Sequence, residues 1–407
     1  MALNCTTDAE SFEKRKFLSI FILTGLVLAL LYHMVLMRPP FSSPGFPSDT
    51  FLFLPADRFN DFWNIWNPFR KLTNPYTSNI TIYFPATFII LFTLQAFGRF
   101  AFYGYLITSA VALFLLSYYI QSARSRTARV SIALMLSYPF LFAIDRANLD
   151  ILLVALVLLW WILRAKGNDV AASLCLGLAG AAKVLPLLLL LPDLMKFRLR
   201  RLFLTAGFAA AFTVIGLLMI TGPVDRSLQM LSKNQDHWKR IWLLQGQSIP
   251  YSHSLVSAVK TVAIAYCRAM DISVRPVHEF SYRHYQWVEY IGLGLMLLAG
   301  WRLRHAEEWK SIFVAVSAML LLPPTSLDYK LLFLFLPLLL FLDEPPRIQD
   351  RRYAALFGLL LIPKAYWFLF SWVSIAVILN PLLICLLLYL VLTEKTAGEL
   401  CPAEPRT

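Results

Sequence analysis

An acidic side chain set among aromatics, in the first long polar stretch of an otherwise apolar chain, is where proton-transfer chemistry could begin. Asp61 lies in the run Asn60-Asp61-Phe62-Trp63, within a polar and aromatic island from Pro47 to Pro85 that also holds Asn74-Pro75-Tyr76 and Tyr83-Phe84-Pro85. Phe59, Phe62, Trp63 and Trp66 recur at one-turn spacing, which predicts a short helix lying in a membrane interface. A carboxylate held there is partly desolvated, so its pKa rises toward a range useful to a general base acting on a sugar hydroxyl. The plainer alternative is an aromatic belt helix with a solvated carboxylate. Asp57, Asp49 and Arg58 compete for the same role, and Tyr76 is a further candidate contact.

Four other polar clusters interrupt apolar sequence. Asp145-Arg146-Ala147-Asn148-Leu149-Asp150 places three charges and an amide between two apolar stretches, where ionisable groups pair with one another and commonly mark function. Arg146 could hold a phosphate bidentately with Asn148 orienting it, and Asp150 completes the set. The alternative is a loop with an ion pair and a helix cap. Lys183, in Gly180-Ala181-Ala182-Lys183-Val184-Leu185-Pro186, either snorkels or neutralises a lipid phosphate. His253 opens a second amphipathic stretch, and Asp328-Tyr329-Lys330 follows Pro323-Pro324 as a charged helix start. Either can be read as a candidate substrate contact or as an ordinary solvated or capping group.

The elements that must position these residues are apolar helices. The chain has 407 residues, 58% of them hydrophobic, far above the roughly 45–50% of soluble domains. Apolar runs of about 20 residues recur from Phe17 onward, which predicts an all-α polytopic membrane protein built as one integral-membrane domain. The first run follows Lys14-Arg15-Lys16 and lacks a small-residue cleavage site, so a removable signal peptide is not expected. The net charge of +13 sits at helix ends, the ordinary positive-inside distribution, and no nucleic-acid partner is expected. The five cysteines have no metal-type spacing, and no metal, cofactor or disulfide framework is expected. No glycine-rich phosphate loop, HExxH or nucleophile elbow occurs.

Placing the basic clusters at Lys14–Lys16, Arg124/Arg126/Arg129, Arg164/Lys166, Lys196–Arg201, Arg302/Arg304 and Arg347–Arg352 on the cytoplasmic side requires two decisions. The stretch 85 to 98 does not cross but lies along the outer leaflet, and the stretch 170 to 194 breaks at Lys183-Val184-Leu185-Pro186 into two short crossings. About twelve spans follow, near 17–37, 101–120, 130–144, 149–163, 170–182, 184–194, 202–221, 287–301, 309–323, 328–342, 353–371 and 374–392, with both termini cytoplasmic. The outer side then receives a first loop, 38–100, a second, 222–286, and every polar cluster named above.

The order of these motifs resembles glycosyltransferase family 87, integral-membrane mannosyltransferase-like enzymes of the GT-C superfamily. An early Asp-Phe, Asn-Pro-Tyr and Tyr-x-Pro, then Arg-x-Asn-x-Asp, Lys-x-x-Pro and Pro-x-Ser-x-Asp, carry the resemblance from about residue 14 to 392. It implies a GT-C bundle with juxtamembrane helices in the first outer loop, Asp61 as the catalytic aspartate, and Arg146, Asn148, Asp150 and Lys183 as further site residues. It also implies a polyprenyl-phosphate sugar donor and a glycolipid or lipid-linked glycan acceptor at the extracytoplasmic face of the plasma membrane. Family members often show Ser-Trp-Asp-His-Tyr late in the chain. Here Ser326-Leu327-Asp328-Tyr329-Lys330 lacks both the tryptophan and the histidine, leaving His253 or Lys330 as substitutes. A lipid or small-solute transporter is the main rival, but internal repeats and paired broken helices are not evident. A non-enzymatic scaffold in a lipid-glycan assembly is the other.

Overall fold

The computed structural model describes residues 13–36, 59–70, 74–77, 81–121, 127–246, 249–347, 349–364, 368–370 and 373–394. Asp49, Asp57 and Arg58 lie outside the described residues, as do Arg124 and Arg126. The described chain is helical almost throughout. Its first elements are α1 (Lys14–Leu36), α2 (Asn60–Arg70), α3 (Thr87–Leu94) and α4 (Ala101–Ile120), then α5 (Ala128–Met135), α6 (Tyr138–Arg146), α7 (Asp150–Ala165) and α8 (Asp169–Ala182). There follow α9 (Leu191–Met195), α10 (Leu199–Leu218), α11 (Val224–Leu244), α12 (Leu255–Ala269) and α13 (Arg275–Arg302). The last are α14 (Glu308–Leu321), α15 (Phe335–Asp343), α16 (Asp350–Leu361) and α17 (Ala376–Thr393).

At the centre stands α14, whose residues are buried on every face, packed by α15, α17, α13 and the tight 3₁₀ turns Leu185–Leu190 and Asp328–Leu334. Outer helices turn large apolar side chains outward: Leu28 on α1, Phe203 and Leu218 on α10, and Leu298 on α13 are all more than half exposed. A soluble protein does not expose apolar surface on this scale, and lipid is the solvent that accepts it. This is a membrane protein.

Several expectations from sequence meet the structure directly. The helix over the Asp61 aromatics is α2. The break at Lys183 is present: α8 ends at Ala182, Lys183 is extended at φ −144°, ψ 128°, and Pro186 sits in the first turn of the following 3₁₀ segment. A kink at Gly98 (φ 53°, ψ −126°) separates the 85 to 98 stretch from α4. At about 1.5 Å per residue, the 34 residues of Thr87–Ile120 would run well past a bilayer core of about 30 Å if straight.

Other expectations are corrected. The span expected near 130–144 is two helices, α5 and α6, bent by 52° where Ser137 and Pro139 interrupt the pattern. The span near 353–371 stops at Leu361, two residues before Pro363, and strands β1 (Phe368–Phe370) and β2 (Val373–Ser374) pair antiparallel beyond it. The 222–286 loop is largely helical, made of α11, α12 and the start of α13. About twelve crossings were expected; among the described residues, four helices, or up to five counting the bent pair, are long and apolar enough to cross a membrane.

The charges sort to the two ends of the bundle. Arg164, at the last turn of α7, donates to Asp193 and Glu308, and Arg201 pairs with both Asp169 and Asp193. Lys14 pairs with Asp350 at 3.0 Å, Arg15 with Asp343, and Lys310 with Glu307 and Glu394. These contacts gather basic clusters far apart in sequence at one end. Asp150 begins α7 roughly 20 Å away along its axis, and there the polar clusters meet.

Candidate active site

The site is assembled around the turn between α6 and α7. Helix α6 ends in a Schellman-type cap: Ala147 N–H donates to Ile144 O at 2.9 Å and Asn148 N–H to Ala143 O at 3.0 Å. That cap requires a left-handed residue, usually glycine, and here Ala147 adopts φ 48°. Phe59, just before α2, is also left-handed at φ 63°, and its N–H donates to Asp145 O at 2.7 Å. Two non-glycine residues in this costly conformation thus stand at the junction that brings α2 against the 145–150 turn.

Aromatic packing holds α2 there. Phe62, Ile65 and Trp66 are buried, with Phe62 stacked on Tyr105 at 5.3 Å and packed edge-on against Phe102. The Tyr105 hydroxyl donates in turn to the Asn148 carbonyl. Asp61, one position before Phe62, is thereby turned toward Asn148, whose Nδ2 donates to Asp61 Oδ2 at 2.6 Å. The Asn148 amide cannot sensibly be reversed, because its Oδ1 accepts from the Asp150 N–H at 2.9 Å and lies 3.5 Å from Lys183 Nζ.

Lys183 closes the arrangement. Its Nζ donates to Asp150 Oδ1 at 2.8 Å and lies 5.6 Å from the ring centres of both Tyr83 and Tyr329. Asp150 Oδ2 is buried with no hydrogen-bond partner among the described residues. Tyr83 is set by close backbone packing: a side chain on Gly216 of α10 would meet the Pro85 carbonyl at 2.3 Å, and the Thr87 hydroxyl donates to Ala182 O at the end of α8.

A cavity of about 530 Å³ opens here, lined by Asp61, Lys183, Tyr83, Tyr329 and Lys330 among others, a size suited to a small ligand or headgroup. Burial raises the Asp61 carboxyl above the usual carboxylate range. The Asn148 hydrogen bond and the charges of Arg146 and Lys183 oppose that rise, and Asp150 adds to it. A carboxylate tuned upward, open to a cavity and backed by cations, can accept a proton from a hydroxyl while an anion forms nearby.

The other expected residues fall as follows. Arg146 is half-buried over the Phe142 ring and acts on Asp61 through its charge. Lys330 lines the cavity and donates to Thr325 O at 3.2 Å. Asn148 and Asp150 are buried and touch the base and Lys183 rather than the open cavity. Tyr76 is core, 1% exposed, its hydroxyl on Tyr83 O. His253 and Asp328 are buried together: Nδ1 of His253 lies 3.3 Å from Asp328 Oδ1 and Nε2 lies 3.0 Å from the Ser326 hydroxyl. Asp328 also accepts from Tyr138 and Asn380, so this cluster fastens the start of α12 to the 323–330 segment behind the cavity wall. Among the described residues no group of three or more His, Cys, Asp or Glu side chains could hold a metal ion.

Sequence reasoning missed one wall of the cavity. Gln235, Trp238, Lys239 and Trp242 of α11 line it. Their i, i+3, i+4, i+7 spacing in an amphipathic stretch was the available signal. Tyr105 carried no such signal, and Ser326 entered only as part of the Pro-x-Ser-x-Asp run.

No curated protein and no solved structure matches this chain. Residues 82–324 match the profile of Glycosyltransferase family 87. That segment carries Tyr83, Arg146, Asn148, Asp150, Lys183 and His253, while Asp61 and Lys330 lie outside it and reach the site through the fold. With more than half of its length matched, including most of the residues that line the cavity, the chain belongs to glycosyltransferase family 87.

Proposed function

We propose that the protein moves a sugar, mannose, from a polyprenyl-phosphate donor to a glycolipid or lipid-linked glycan acceptor, with inversion, at the extracytoplasmic membrane face. The observation that carries this reading is that Asp61 shares one cavity with Lys183 and Lys330. The acceptor oxygen attacks the anomeric carbon, its proton passes to Asp61, and the bond from that carbon to the phosphate oxygen breaks. The electron pair leaves with the polyprenyl phosphate. Lys183, Lys330 and the charge of Arg146 offset the negative charge that gathers on the leaving group. A lipid monophosphate carries less charge than a nucleotide diphosphate, so these cations are matched to the task.

The segregation of basic clusters to the opposite end supports a multi-pass arrangement with that end, and both termini, in the cytoplasm. The short helices on either side of Lys183 would then cross as a broken pair within a bundle of about twelve spans. The test is to incubate purified protein with polyprenyl-phosphate mannose, glucose, galactose and arabinose together with a membrane lipid extract. Mass spectrometry should show a glycolipid one hexose heavier from the mannose donor alone. Transfer by Asp61→Asn at the wild-type rate would overturn the base assignment, and absence of transfer from every donor would overturn the donor class.

A further inference from the structure

The cations and the base account for one part of the cavity, but α11 supplies another that neither role uses. Gln235, Trp238, Lys239 and Trp242 present one helical face to the cavity that Asp61 lines, with the two indoles 5.6 Å apart and tilted by 41°. The adjoining side of the helix is fastened down. Asn234 donates from Nδ2 to the carbonyls of Tyr76 and Thr81 at 3.0 Å each, and Asn74 donates to the Ser227 hydroxyl at 2.8 Å. These bonds tie α11 to the chain segment between α2 and α3, so the indole face and the base-bearing helix share one anchorage.

Two half-buried tryptophans beside an amide and an ammonium are an unusual lining for a lipid tail, which needs neither polar group. A pyranose needs both kinds of surface: its C–H face packs on an indole, and its hydroxyls take hydrogen bonds from Gln235, Lys239 and Asn64, which also lines the cavity. Inversion requires the attacking oxygen to approach from the side away from the departing phosphate, hence away from Lys183 and Lys330. Among the aromatic residues lining the cavity, Tyr83 and Tyr329 stand 5.6 Å from Lys183, whereas Trp238 and Trp242 are paired with each other on α11.

We infer that Trp238 and Trp242 form a stacking platform for a pyranose ring of the acceptor, so that these two residues select the acceptor by the sugar it carries. This rests on the glycosyl-transfer reading of the cavity, and its test is a binding measurement that needs no turnover. The probes are dihexanoylglycerol bearing a single mannose or glucose and the same dihexanoylglycerol without sugar, titrated into the full-length protein in nanodiscs. At least one glycosylated probe is expected to bind about 10-fold more tightly than the sugar-free one, with saturation transfer reaching the ring C–H protons. Trp238→Ala/Trp242→Ala should abolish that preference, and Trp238→Phe/Trp242→Phe should keep most of it.

Equal binding of all probes to the wild-type protein overturns the platform, as does a preference that survives the double alanine variant. Should the alanine variant not fold, ring-proton saturation in the wild type decides alone, and its absence overturns the proposal. Asp61→Asn should keep the preference while losing transfer. Retained transfer by Asp61→Asn, with the sugar preference still lost in the tryptophan variant, would instead overturn the base and leave the platform standing.

Discussion

The side-chain amide of Asn148 holds the carboxylate of Asp61 at 2.6 Å, although 87 positions separate them in the chain. The same amide, through its oxygen, receives the first turn of α7 and faces Lys183. One buried residue thus sets the base and the cation against each other, and the charge state of Asp61 depends on it.

Replacing Asp61 by Asn should lower transfer by at least about 100-fold, the lower range for loss of a positioned general base. Folding should be retained, because the amide can still meet Asn148. Initial rates with a labelled donor, alongside the thermal midpoint, check both parts.

Burial raises the Asp61 carboxyl, so kcat/KM should fall on the acid side at a pH above the ordinary aspartate value of about 3.9. The Asn148 hydrogen bond favours the charged form. Asn148→Ala removes it and should move that acid limb to higher pH still. A pH–rate profile whose limb stays put or moves down would contradict the geometry.

Lys183 faces a fully buried carboxylate in Asp150. Lys183→Met should cost about 3 kcal/mol by stranding that charge, as well as losing activity. Asp150→Asn added to it should restore much of the stability but none of the transfer. Chemical denaturation and activity, measured on the single and double variants, separate the two roles.

Gly216 touches the Pro85 carbonyl, while Gly207 on the same helix faces open space. Gly216→Val should displace the Tyr83-Phe84-Pro85 turn, costing about 1–3 kcal/mol and reducing transfer. Gly207→Ala should be neutral or stabilising by up to about 1 kcal/mol, through helix propensity. Thermal melts of the two variants provide the comparison.

Burial lowers the His253 pKa below its usual value near 6.5, against the raising effect of Asp328 and with Lys330 and Lys364 lowering it further. The unfolded chain then binds the proton more readily, so stability should fall as pH drops through about 6.5 toward the folded pKa. His253→Gln should flatten that slope. Thermal midpoints between pH 5 and 8 measure it.

Much of the candidate site was legible locally. The aromatic spacing around Asp61 reports a helix because one turn of backbone decides it, and the Lys183-to-Pro186 break follows from proline chemistry within four residues. Tyr76 and His253 were harder. A tyrosine in a polar loop looks the same whether it faces a ligand or packs into the core. His253 looks solvated until Ser326 and Asp328, 73 and 75 positions away, close around it. The strands after α16 were hidden because an apolar run of that length reads as helix unless Pro363 is given enough weight.

The sequence by itself determined the membrane class, the break at Lys183 and the polar clusters, because hydropathy, proline and capping act within a few residues. Its order of motifs also pointed to the family. Only the tertiary structure decided that Asn148 serves Asp61, that His253 is buried with Asp328, and that α11 supplies a wall of the cavity. Those pairings span dozens of positions, and they exist because helices packed around α14 bring the ends of distant segments to one place.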